Sequence, residues 1–245
     1  MRRAPRAWTA AVPGAWLLSL AWRADAQPAP ADDRGRLEGL TQPHRFEVSV
    51  GGSLLTGSDL GVQTATLTQN QLLPIPDRYP LFSTATRLQA AAGFDGRLAW
   101  HVSRTWAIEG GSQMARADIR TAISKDADGA ADLTAVERVT RFAVTAALVA
   151  NLWHWRIGER LLPYVEGGGG VLRTLHEDQV LQESGKVYFG GGGLRLALAS
   201  RPTRRLKALA LRAGVRLVVR HGGPDIDPRV TRPGVSADAG LLVVF

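Results

Sequence analysis

The chain has 245 residues, 27 Gly, no Cys and a formal charge of +8. Without Cys it has no disulfide framework and no thiol chemistry, and its positive balance, carried partly by Arg2, Arg3, Arg6 and Arg23, is mild and comes with no nucleic-acid motif. No run of eighteen apolar residues follows residue 26, which excludes membrane-spanning helices there.

In chain order, Arg2, Arg3 and Arg6 precede an apolar stretch over 7–22, broken by Pro13 and Gly14, and the small-x-small triplet Ala24-Asp25-Ala26. This pattern predicts a secretory signal peptide over 1–26. Residues 27–43 carry Pro28, Pro30 and Pro43 with Asp32, Asp33, Arg34 and Arg36, which predicts a flexible N-terminal segment. From 44 to 245 stretches of period-two apolarity alternate with polar connections. Strands are expected over 44–54, 85–102, 105–120, 138–152, 162–175, 186–199, 206–220 and 234–245. The connections at 103–105, 153–161 and 200–205 are short or modest, whereas those at 55–84, 121–137, 176–185 and 221–233 are long. Long and short connections at opposite ends are the habit of membrane barrels. The fold expected is all-β: an eight-stranded antiparallel up-and-down transmembrane β-barrel over 44–245.

Which face is apolar decides between a soluble and a membrane barrel. Along 206–220, Leu209, Leu211, Ala213, Val215, Leu217 and Val219 share one face, opposite Ala208, Ala210, Arg212, Gly214 and Arg216. Phe142, Val144, Ala146 and Leu148 repeat the pattern, as do Tyr188, Leu194, Leu196 and Leu198. Glycine, alanine and isolated charges make too sparse a face for water but suit a lumen that holds only side chains. The Leu/Val face is therefore assigned to lipid. Trp100, Trp106, Trp153, Trp155 and Tyr164 fall near the short turns and are expected to form an aromatic girdle.

Strand parity then gives the inward charges: acids Glu47, Asp95, Glu109, Glu166 and Asp238, and bases Arg87, Arg97, Arg141, Arg195, Arg212 and Arg216. Buried charges persist when paired and hydrogen-bonded, so these residues are expected to form one lumen network. Aligning Gly167–Gly170 with Gly190–Gly193 sets Gly168 opposite Gly193 and Glu166 opposite Arg195. A three-residue turn at 103–105 pairs Val102 with Trp106 and leaves Arg97 diagonal to Glu109.

Three segments carry a family resemblance: Ser-Arg-Thr-Trp-Ala-Ile-Glu-Gly at 103–110, Leu-Pro-Tyr-Val-Glu-Gly-Gly-Gly-Gly at 162–170, and the alternating segment Val235 to Phe245 that ends on an aromatic. The chain resembles the small outer-membrane barrels of the OmpA-transmembrane-domain and OmpX type over roughly 44–245. The resemblance implies a cell outer-membrane location reached through the signal peptide, and a terminal Phe245 that acts as an assembly signal read by the barrel assembly machinery. Outer-membrane lipid and lipopolysaccharide are the expected surroundings of a monomer with no nucleic-acid partner.

Such barrels serve many functions. The expected role is structural or interactive, with loops presented outward; the alternatives are a narrow ion or small-solute channel and, further off, a lipid A-modifying enzyme. For the enzyme, His176 with Ser184 and Glu177 or Glu183 is the nearest candidate set, read here as ordinary loop residues, so no catalytic residues are expected. No cofactor or metal is expected either. Gly167–Gly170 lacks the Lys-Ser/Thr of a phosphate loop, and Asp126 with Asp128, or Asp225 with Asp227, read as solvated loop charge. In the first long loop, Leu72, Leu73, Pro74, Ile75, Pro76, Tyr79, Pro80, Leu81 and Phe82 form an apolar cluster expected to pack back on the rim or to adhere to a surface.

Overall fold

The computed structural model describes residues 35–69, 77–176, 182–200, 205–222 and 231–245. The expected leader, Leu72–Pro76, Glu177, Asp225 and Asp227 lie outside these residues. Ten strands are present: β1 (Phe46–Leu55), β2 (Ser58–Gln69), β3 (Asp77–Leu88), β4 (Ala91–His101), β5 (Trp106–Ser124), β6 (Leu133–Asn151), β7 (Leu161–His176), β8 (Gln182–Ser200), β9 (Ala208–Gly222) and β10 (Thr231–Val244). Eight of them close an antiparallel ring in the order β5-β4-β1-β10-β9-β8-β7-β6, with β6 returning to β5. Strands β2 and β3 form a hairpin outside the ring, joined to it where Ser83–Leu88 pairs with Ile119–Ser124 of β5.

Each ring strand turns the faces that its alternation predicts. On β9, Leu211, Ala213, Val215, Leu217 and Val219 are exposed, while Arg212, Gly214, Arg216 and Arg220 are buried. Phe94 on β4 is 77% exposed and Leu217 on β9 is 66% exposed. A continuous belt of such side chains has no place against water and matches a lipid-facing wall. One pleat beyond the last outward apolar residue, the outward positions become basic: Arg116 after Met114, Arg173 after Val171 and Lys186 beyond Tyr188. That change marks the edge of the apolar belt.

The wall closes where β1 meets β10, from Glu47 opposite Val244 to Leu55 opposite Ser236. Phe245 extends this seam by donating its N–H to the Phe46 carbonyl at 2.9 Å, with its ring half exposed at the rim. At the short-turn end, Ser103 Oγ accepts the N–H groups of Thr105 (3.2 Å) and Trp106 (3.0 Å), which fixes the three-residue turn. Trp100, Trp106 and Trp155 are exposed at this end, as the girdle requires.

Two apolar clusters stopper the interior. At the short-turn end, residues Gly35–Glu38 form a single helical turn (α1), and Leu37 and Leu40 pack against Leu162, Ala208, Ala210, Leu242 and Val244. The flexibility expected for 27–43 therefore does not extend to 35–41: Leu40 and Thr41 are fully buried, because two leucines at i, i+3 give this stretch an apolar stripe that fits the barrel mouth. At the other end, Leu60 of β2 and Leu88 of β3 join Ala91, Ala115, Ala117, Ile119 and Val139. The hairpin occupies what reads in the sequence as the loop 55–84, and β5 and β6 run on together to Ile123 opposite Leu133.

Candidate functional site

Between the two stoppers lies the charged network. Glu47, Asp95, Arg97, Glu109, Arg141, Glu166, Arg195, Arg212, Arg216 and Asp238 are all buried in the lumen. Their strands place them there by parity, and the small residues between them make the room. Tyr164 of β7 pairs with Gly193 of β8, which pairs with Gly214 of β9. A Cβ on Gly214 would stand 2.5 Å from the Tyr164 hydroxyl, so the phenol lies in space that only glycine leaves free.

Arg97 is one hub. It donates Nε–H to Asp95 Oδ2 at 2.8 Å and pairs through Nη2 with Asp238 Oδ1 at 2.8 Å. Its Nη1 stands 3.6 Å from Glu109 Oε1, the diagonal pair expected from the 103–105 turn. The register is also the expected one, with Leu98 opposite Gly110.

Arg212 is the second hub. It donates to both oxygens of Glu109, to Glu166 Oε2 at 3.0 Å and, through Nε, to the Tyr164 hydroxyl at 3.0 Å. Arg216 grips Glu166 bidentately at 2.8 and 2.8 Å, the strongest arrangement for a guanidinium and a carboxylate. Arg195 donates to Glu47 Oε1 at 3.2 Å and to Asn151 Oδ1 at 2.9 Å. His101 shares Glu47, with 2.9 Å between Nε2 and Oε2. The guanidiniums of Arg195 and Arg212 lie 5.1 and 4.6 Å from the centre of the Tyr164 ring, so cation–π attraction adds to the ionic contacts.

Three expectations need correction. Arg87 is not in the lumen: it is exposed on β3 and pairs with Asp59 of β2 at 2.6 Å. The strand run is interrupted at Gln89–Ala90 between β3 and β4, and parity changes across the interruption, so Leu88 rather than Arg87 points inward. Glu166 is opposite Gly191 and Arg195 is opposite Leu162, four residues from the predicted register. The glycine runs overlap at one pair only, Gly167 opposite Gly190, and do not stack along their length. Each sits beneath an aromatic instead, with Tyr164 opposite Gly193 and Tyr188 opposite Gly169, because a ring covers surface that two facing glycines would leave empty. Tyr164 accordingly leaves the girdle for the lumen.

Sequence reasoning also missed Arg220 and His101 as buried lumen residues, whereas Asn151 is buried on the inward face that the alternation of 138–152 gives it with Arg141 and Thr145. Arg220 continues the parity of Arg212 and Arg216, and His101 that of Asp95 and Arg97, so the signal was present on the strands themselves. Of the candidate enzyme set, His176 is bonded through Nδ1 to Glu137 and faces Glu183, with 3.7 Å from Nε2 to Oε2. Ser184 lies on the outward face of β8, so the wall separates it from the buried His176.

A closed antiparallel ring with lipid-compatible walls and a charged interior defines the class: an eight-stranded transmembrane β-barrel. No protein-family model matches the chain and no curated protein does. Among solved structures the chain is similar to the outer membrane protein OprG from Pseudomonas aeruginosa, at 12% identity and a TM-score of 0.46, covering 83% of this chain and 97% of that one. It is also similar to Ail, the attachment invasion locus protein of Yersinia pestis, at 14% identity and a TM-score of 0.38, covering 83% and 100%. A third is the outer membrane protein AlkL, at 18% identity and a TM-score of 0.39, covering 90% and 96%.

Proposed function

We propose that this is an outer-membrane protein, exported through the leader at 1–26, whose barrel is a sealed scaffold with a structural or interaction role. The observation that carries this reading is the blocked interior. The α1 stopper, the ion-pair layer and the Leu60–Leu88 cluster succeed one another along the lumen and, among the described residues, occupy it with buried side chains at both ends and between, which supports a sealed barrel. The interaction role is supported by the β2–β3 hairpin, which stands beyond the apolar belt and exposes Val62, Leu67 and Tyr79. Contact with lipopolysaccharide is supported by the outward tier of Arg116, Arg173 and Lys186 at the edge of that belt, where phosphate-bearing headgroups would lie.

The test joins two measurements on one preparation. In outer-membrane fractions the protein is expected to change gel mobility on boiling, and in planar bilayers the same purified protein is expected to give no unitary conductance. Regular conductance steps, abolished by substituting lumen arginines, would overturn the sealed scaffold in favour of a channel. Recovery in the soluble fraction would overturn the membrane assignment.

A further inference from the structure

Above the Arg216–Glu166 pair the lumen is not filled. A cavity remains between the network and the hairpin cover, with about 50 Å³ open to the centres of water-sized spheres. That is room for roughly three to five waters, or for one tetrahedral oxyanion. Three arginines line it, Arg141, Arg216 and Arg220, together with the neutral polar residues Gln113, Thr145 and Ser236, and no carboxylate does.

Arg141 is the residue that asks for a ligand. It is 4% exposed, and its Nε has no hydrogen-bond partner. Among the described residues no carboxylate stands within ion-pair distance of it. The acids around it are engaged elsewhere: Glu47 by Arg195 and His101, Asp95 and Asp238 by Arg97, Glu109 and Glu166 by Arg212 and Arg216, and Glu137 and Glu183, towards the hairpin end, by His176. A guanidinium taken out of water without a counter-charge is strongly unfavourable. Its planar fork of N–H donors fits two oxygens of one anion.

We infer that this cavity is a binding site for a small oxyanion of phosphate or sulfate size, held by Arg141 with Gln113 and Thr145 beside it. The mouth lies at the hairpin end, where Arg220 Nη2 donates to Ser58 Oγ at 2.6 Å and Leu55, Thr56 and Val235 form the rim. Binding there ties the hairpin's first residues to the occupied lumen through the Arg220–Ser58 bond. The site depends on the barrel alone and not on what the hairpin touches outside.

The test is a titration of the folded full barrel, labelled with ¹⁵N-arginine, in a neutral detergent free of phosphate. Sodium sulfate, and separately inorganic phosphate, is added at millimolar levels while chloride holds ionic strength constant. One buried Nε–Hε resonance, absent from the R141K spectrum, is expected to move saturably, whereas Arg87 stays still. Arg141→Gln is expected to raise the half-saturation concentration measured by calorimetry at least tenfold. If no arginine resonance of the unmodified protein moves saturably, the proposal fails, whether or not the variants fold. A saturable shift that persists in R141Q overturns it equally. Movement with a phosphate-bearing lipid headgroup but with neither free ion would place the ligand outside the wall, and would also overturn it.

Discussion

Replacing Arg212 with Met tests whether the lumen network is held together by charge compensation. Arg212 supplies three hydrogen bonds to the two carboxylates Glu109 and Glu166. Without it Glu166 keeps its bidentate partner Arg216, but Glu109 retains only long contacts, 3.6 Å to Arg97 and 3.5 Å to Arg216. Breaking a buried pair costs ~3–5 kcal/mol because one charge is left uncompensated. The two residual arginines put this case at the low end, about 3 kcal/mol, or roughly a hundredfold in the folding equilibrium. Reversible urea unfolding in lipid vesicles, followed by tryptophan fluorescence, measures it. If the stranded carboxylate is the cause, neutralising it repairs the damage: R212M combined with E109Q is expected to recover more than half of the loss. A cost below ~1 kcal/mol for R212M, or a double variant worse than the single one, would refute the reasoning, since packing alone would then explain the residue.

Gly214→Ala places a methyl group 2.5 Å from the Tyr164 hydroxyl and is expected to cost ~1–3 kcal/mol by overpacking; in a Tyr164→Phe background the added cost shrinks, and equal costs in thermal melts of both backgrounds would count against the contact. His176 lies beyond the apolar belt; burial opposes its charge, but the Glu137 and Glu183 carboxylates outweigh it and hold its pKa above the ordinary 6.5. Because the folded value is raised, this contact contributes fully below pH 6.5 and is lost as pH rises through the folded value. An NMR titration of the ring should show a raised midpoint that Glu137→Gln lowers, and a midpoint at or below the ordinary value would contradict the arrangement. Deleting Phe245 removes one seam hydrogen bond, worth ~0.5–1.5 kcal/mol, so refolding in vitro should change little. If the residue is read during assembly, its deletion should sharply lower the amount of barrel in outer-membrane fractions, and an unchanged amount would exclude that role.

The wall of this barrel was legible because its physics is local. Period-two alternation needs only the residue's own strand, so all eight ring strands and the inside-out polarity appear in the sequence between 44 and 245. The failures came where local pattern ends. Over Val62–Thr68 of β2, Val62 shares one parity with three Thr while Ala65 and Leu67 share the other with Gln63, so the two faces do not differ enough in apolarity to announce a strand. Gln89 and Ala90 interrupt what reads as one run over 85–102, and the change of parity hidden in that break moved Arg87 from lumen to solvent.

Partnership inside the lumen was less legible, for a geometric reason. Backbone register relates neighbouring strands, and it correctly paired Arg97 with Glu109 on β4 and β5. The strongest contacts, however, join strands that do not touch. Arg212 of β9 reaches Glu109 of β5, Arg195 of β8 reaches Glu47 of β1, and Arg97 of β4 reaches Asp238 of β10. A guanidinium on a three-carbon stem spans a narrow lumen, so its partner is chosen by height and by which carboxylate is still free. Membership of the network follows from parity, whereas pairing follows from competition among all the charges at one level. Arg141 is the residue left over from that competition: it has the same parity as its neighbours but lies between the acids of the network and the Glu137 and Glu183 carboxylates that His176 engages. The unfilled cavity and the unmatched arginine are thus two consequences of one asymmetry, a level of the lumen lined by Arg141, Arg216 and Arg220 and by no carboxylate, and an anion from solution is the ligand that corrects both.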